Sequence, residues 1–185
     1  VLLLALFCRM ELHSPHPLLD LRLLARNRVF ALSSLAAFIN YSSFFGVMFF
    51  FSLYLQLGRG CSVEQAGLFL AAQSLIQALT TPLAARLCAA FPPGRVSAVG
   101  VALCGLGLLV CGFLRLDSPY WLLFAAMGLL GSGISLFALP NTTIILESAG
   151  RDHVGQASGL TGAVRTGGQL INMACITLTL GFFLG

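Results

Sequence analysis

Residues 30–57 run for 28 positions without a charged side chain, and no other property of the sequence narrows the fold as far. A helix rises about 1.5 Å per residue, so this run reaches about 42 Å, more than the ~30 Å hydrocarbon core of a bilayer. Four more apolar runs follow, at 66–90, 96–114, 120–146 and 157–185, with connections of five to ten residues between them. Connections that short force antiparallel neighbours. The expected architecture is therefore all-α and integral to the membrane: five complete transmembrane helices with no β signal. Composition excludes a soluble domain, because 9% of residues are charged, 58% are apolar and the mean hydropathy is +0.94, where a soluble domain carries about 25% charge.

Residues 1–8 form an apolar stub that reaches only about 12 Å as a helix. The stub reads as the tail of a helix whose start is absent. It lacks the positive flank and the cleavage site of a signal peptide. Residues 9–28 hold Pro15, Pro17 and four arginines, a linker in which 17–24 suits a short helix on the membrane surface. Residues 1–28 thus form one segment and 29–185 the helical bundle. The chain has ten arginines and no lysine. Eight lie on one side: Arg9, Arg22, Arg26, Arg28, Arg86, Arg95, Arg151 and Arg165. Two, Arg59 and Arg115, lie on the other. The positive-inside rule places the first side, and with it the linker, in the cytoplasm. The arginines report topology, and no nucleic-acid partner is expected. The six cysteines show no Cys-x-x-Cys spacing and five sit in or beside apolar runs. Small apolar filler is the reading, with no metal and no cofactor.

Polar side chains inside the apolar runs are costly in lipid and carry the functional information. The first run has Asn40-Tyr41-Ser42-Ser43 near its middle. The serines can bond back to their own backbone, whereas Asn40 needs a partner helix or a wet cavity, and Tyr41 offers an aromatic wall with a hydroxyl. In the second run Gln73, Gln77 and Thr81 share a face at four-residue spacing. They read as interhelical bonding or as the hydrogen-bonding wall of a passage, with the passage favoured. The third run is rich in glycine and has no direct role. The fourth contains Pro140-Asn141: proline frees the carbonyl four residues earlier, and Asn141 either caps that backbone or marks a binding site in a broken helix. In the fifth, Arg165, Gln169 and Asn172 share one face, while Gly155, Gly159, Ala163 and Gly167 form a smooth face for close helix approach. Arg165 can snorkel to the surface, pair with Glu147 or meet an anionic group in a cavity.

The order of motifs resembles the 14-helix drug:proton antiporter branch of the major facilitator superfamily. The hairpin from Pro140-Asn141-Thr142 to Gly155-Gln156-Ala157-Ser158-Gly159-Leu160 and Arg165-Thr166-Gly167-Gly168 is similar to the family's tenth and eleventh core helices. His16 to Leu24 followed by Arg26-Asn27-Arg28 resembles the link into the seventh. Ser52-Leu53-Tyr54-Leu55-Gln56 with Gln65-Ala66-Gly67-Leu68 resembles the turn between the seventh and eighth. Thr81-Pro82-Leu83-Ala84-Ala85-Arg86 to Pro93-Gly94-Arg95 looks like a degenerate copy of the cytoplasmic signature, with Ala85 where the family has Asp.

The resemblance implies a partial bundle, core helices seven to eleven, of a proton-coupled multidrug or small-molecule efflux antiporter in the bacterial inner membrane. The first six core helices, the first linker helix and the twelfth core helix are missing. The missing N-terminal half would carry most of the coupling carboxylates. It further implies that Asn40, Tyr41, Gln73, Gln77, Asn141, Gln169 and Asn172 line the pathway of an amphiphilic substrate, with Arg86, Arg95, Glu147 and Arg165 in gating or ion pairs. Two rivals remain. One is a truncated, non-transporting fragment or small membrane partner subunit. The other is an intramembrane enzyme using Ser132 or Ser158, which the position of all three histidines (13, 16, 153) in connections argues against.

Overall fold

The computed structural model describes residues 27–150 and 153–184. The stub at 1–8 and the surface helix expected at 17–24 lie outside them. Five long helices follow one another: α1 (Arg28–Leu53), α2 (Val63–Ala90), α3 (Pro93–Gly112), α4 (Tyr120–Ala149) and α5 (Val154–Leu184). A π-helical turn, Tyr54–Gly58, extends α1. Four of these helices, α1 with its π turn, α2, α3 and α4, are long and apolar enough to cross a membrane. α5 is of equal length and carries the polar residues of the fifth run.

The helix ends follow from local chemistry. Asn27 caps α1: its Oδ1 accepts from the Val29 and Phe30 amides at 3.0 and 3.2 Å. α2 starts at Val63, three residues before the apolar run, because Ser62 and Gln65 form a reciprocal capping box. α3 starts within the expected turn at 91–95, since Pro93 occupies the first helical turn, where a missing amide proton costs nothing. α4 continues as helix through Pro140 to Ala149, and Gly150, at φ 80°, ends it.

α4 is the hub. Just over half (56%) of its most apolar stretch is buried inside the bundle, against 11–28% for the other three spans. α3 lies against it almost backbone to backbone. A Cβ on Gly100 would stand 2.5 Å from the Phe137 nitrogen, and one on Gly133 2.7 Å from the Cys104 nitrogen. α2 packs on another side, where a Cβ on Gly131 would meet the Gln73 carbonyl at 2.9 Å. α1 packs through Ala37 against Ile134 and Phe137, and through Phe30 against Ile145 and Ala149. α5 lies along α1, with Ala157 and Leu160 closing the cluster around Phe30.

The two ends of the bundle are tied differently. At one end, Asn27 Nδ2 donates to the Ser148 carbonyl at 2.8 Å, joining the start of α1 to the end of α4. At the other, Tyr54 Oη donates to the Arg115 carbonyl. Arg59 Nη1 donates to the Ser118 carbonyl at 2.6 Å, and its guanidinium lies 4.4 Å from the centre of the Tyr120 ring. Arg59 and Arg115, the two arginines separated from the rest by sequence, therefore share one end.

The face expected for close approach in α5 is displaced. Gly155, Gly159 and Ala163 are exposed, and nothing lies within 4 Å of a Cβ on Gly155 or Gly167. The close approach is made by Gly168, whose Cβ would stand 2.8 Å from Ser42 Oγ and 2.9 Å from the Phe38 carbonyl. Gly168 faces inward because Leu160 and Val164, two turns and one turn before it on the same side of α5, pack into the core.

Candidate functional site

The polar residues of the apolar runs fall into three groups, and α1 divides them. On a helix, adjacent residues project about 100° apart, so Asn40 and Tyr41 leave α1 in different directions. Tyr41 packs beside Ala37, Ile134, Phe137 and Val164, between α4 and α5. Asn40 lines a cavity of about 320 Å³ between α1 and α3, with Cys104, Gly105 and Leu108 as the opposite wall and Leu130 of α4 contributing. The cavity is largely apolar, with Asn40, Ser43 and the Cys104 thiol as its polar groups, and no hydrogen bond of ordinary geometry reaches the buried Asn40 Oδ1 among the described residues.

The second group belongs to helix contacts with the hub. Asn141 is 5% exposed, and its Nδ2 donates to the Ser33 carbonyl of α1 at 3.1 Å. The amide thus ties two helices and does not cap the backbone freed by Pro140 in its own helix. Gln73 is 3% exposed, set against Gly131, and its Nε2 has no partner among the described residues. Four residues on, the Gln77 carbonyl accepts from Ser135 Oγ at 2.8 Å, and Thr81 Oγ1 lies 3.4 Å from the same hydroxyl. In the two contacts with α2 the hub supplies a small or hydroxyl residue, Gly131 or Ser135, whereas in the contact with α1 it supplies the amide.

The third group lies where α1 meets α5. The Arg165 guanidinium sits 5.1 Å from the centre of the Tyr41 ring, within the range of a cation–π contact. Asn172, two turns further along, is set against Gly46, where a Cβ would come within 2.5 Å of Asn172 Oδ1. That oxygen and Ser42 Oγ are buried without partners among the described residues. Gln169, half-buried, lies one turn beyond Arg165.

Among the described residues no opposite charge pairs with Arg86, Arg95, Glu147 or Arg165. Arg86, Arg95 and Glu147 are exposed at helix ends. Of the residues expected to line the pathway or to gate it, the folded chain places Tyr41, Arg165, Gln169 and Asn172 along the meeting of α1 and α5. It sends Asn40 to the far side of α1 and sets Gln73 and Asn141 into contacts with other helices. The Arg165–Tyr41 contact was missed because residues 124 positions apart in sequence carry no common local signal.

The Major Facilitator Superfamily profile matches residues 11–183. The chain is 32% identical over 177 residues to the methylenomycin A resistance protein of Bacillus subtilis (strain 168), covering 94% of this chain and 37% of that protein. To the multidrug resistance protein Stp of Mycobacterium tuberculosis (strain ATCC 25618 / H37Rv) it is 30% identical over 184 residues, covering 97% of this chain and 33% of the relative. The uncharacterized transporter YebQ of Escherichia coli (strain K12) is 32% identical over 177 residues, 96% of this chain and 38% of the relative. The chain spans between a third and two fifths of the length of these curated relatives.

Proposed function

The chain belongs to the Major Facilitator Superfamily, a family of membrane transporters and not of enzymes, and on that premise we propose that it is the C-terminal part of a proton-coupled efflux antiporter for small molecules, multidrug in type. It is a multi-pass membrane protein. The observation that carries the proposal is the match of almost the whole chain to proteins named for drug resistance. The bundle is compatible with this role because it leaves an arginine, a tyrosine and two amides together on α1 and α5.

In this reading the rest of the transporter supplies the facing half-bundle and the carboxylates of proton coupling. The acids among the described residues, Glu64, Asp117 and Glu147, lie in a connection or at helix ends, far from the depth where a coupled group must be exposed alternately to each side. Transport is a rocking of the two halves about a site near the midplane. Tyr41, Arg165 and Gln169 form this half's wall of the pathway, and Asn172 supports it from the α1 contact. The membrane is the bacterial inner membrane, with the N-terminal linker in the cytoplasm.

The test is expression of the intact gene in an efflux-deficient bacterial host. Accumulation of fluorescent drugs should fall, and a protonophore should restore it. Efflux that persists after collapse of the proton gradient would remove the coupling assignment. Orientation is checked by Asp117→Cys and Gly94→Cys in a cysteine-free background. A membrane-impermeant maleimide should label the first in intact cells and leave the second unlabelled.

A further inference from the structure

Resting on this efflux reading, we propose that Arg165 on the Tyr41 ring is a carboxylate site at mid-membrane depth, and that the transporter's substrates include planar organic acids.

Depth is the first argument. The span Arg28–Gly58 has its midpoint at residue 43, and Tyr41 lies two residues from it. The guanidinium is held level with that ring, so it does not reach back along α5 to the membrane surface. It sits about 20 Å along α1 from Arg28, below the headgroup layer. A lipid phosphate therefore cannot be its ordinary counter-ion.

Charge balance is the second. The acids of this chain are Glu11, Asp20, Glu64, Asp117, Glu147 and Asp152. Among the described residues, Glu64 and Asp117 belong to the end of the bundle opposite Arg28, Glu147 lies in the last turn of α4, and none lies within the middle of a span. Arginine stays protonated at any working pH, so the charge persists at this depth and is met here only by an aromatic face. No acid among the described residues is its counter-ion, and the site is open to an anionic group from elsewhere.

Shape is the third. The contact with the ring offers the guanidinium no hydrogen-bond acceptor atom, so N–H groups that match a carboxylate in bidentate fashion remain to be satisfied. Tyr41 packs against Ile134, Phe137 and Val164, giving an apolar surround for a flat ligand body. Gln169, one turn on, offers a further amide.

Three pyrene probes of one scaffold test the proposal: 1-pyrenebutyrate, its methyl ester and 1-pyrenemethylammonium. Binding and efflux are measured with the intact transporter in nanodiscs and in cells. Arg165→Gln should weaken pyrenebutyrate binding at least 10-fold and leave the ester within 2-fold, and Arg165→Lys should recover part of the loss. Tyr41→Leu should weaken the acid about 5-fold, with Tyr41→Phe near the parent. Equal effects of Arg165→Gln on all three probes would overturn the proposal, because the arginine would then pair with a fixed carboxylate elsewhere in the protein. Export of the ester or ammonium probe without export of the acid would also overturn it and leave the efflux reading intact. Export of no probe and no drug would remove that reading, and the proposal with it.

Discussion

α4 meets α3 more extensively than α1 meets α5, and the two interfaces are built from different materials. Between α3 and α4, Gly100, Gly107 and Gly133 bring main chains together, and Cys104 fills the remaining space. The close approach of the two backbones gains dispersion energy. Between α1 and α5 the contact contains Ser42, Asn172 and Arg165, of which two have buried, unpartnered atoms and the third a charge resting on a ring. An interface with unsatisfied groups gains when another partner arrives. The first pairing is a fixed scaffold, and the second is the surface prepared for a ligand or a facing helix.

The largest expected effect strikes the scaffold. Gly100→Leu should cost about 3 kcal/mol or more, because the clash is with the backbone of Phe137 and no rotamer relieves it. The yield of monodisperse intact protein in detergent should fall several-fold. Gly105→Leu, where nothing lies within 4 Å, should leave that yield unchanged, and equal losses would break the distinction between the two glycines. Gly168→Leu comes next, at about 2 kcal/mol. It pushes α5 off Ser42 and Phe38, and its thermal shift should be smaller than that of Gly100→Leu because α5 touches little besides α1.

Asn141→Leu removes one interhelical bond to Ser33, worth about 1 kcal/mol. The melting temperature should drop by a few degrees. Gln73→Leu should change stability by less than about 1 kcal/mol, or raise it, since the deleted amide donor has no partner. A loss larger than that of Asn141→Leu would show that Gln73 is held by a segment outside these five helices. The smallest effect belongs to Cys104→Ala, which should leave drug resistance closest to the parent at matched expression, with Gln77→Leu and Asn141→Leu both changing it more.

The rough extent of each helix was legible, while its ends fell up to three residues from the expected bounds through local causes. The capping box at Ser62 and Gln65, Pro93 at a helix start and Gly150 past a helix end act over four residues or fewer. The apolar runs did the rest. Which way each helix faced was not legible in the same way. α1 is apolar on nearly all sides, so its periodicity favours no direction. Asn40 and Tyr41, neighbours in sequence, therefore read as one wall and fold onto two. In α5 the row of Gly155, Gly159, Ala163 and Gly167 stood as the candidate for the packed face, and only contact with α1 chose Gly168 instead.

The sequence by itself determined that this chain forms five antiparallel helices suited to a membrane, with the arginines distributed unequally between its ends. Lipid offers the backbone no hydrogen bonds, so each apolar run must satisfy its own amides and carbonyls as a helix whatever its neighbours do. The tertiary structure alone decided the partner of each polar side chain. Asn27 finds Ser148 across 121 residues, and Asn141 finds Ser33 across 108. Side-chain groups in an apolar medium take the nearest complementary atom in space, and which atom is nearest depends on how all five helices pack.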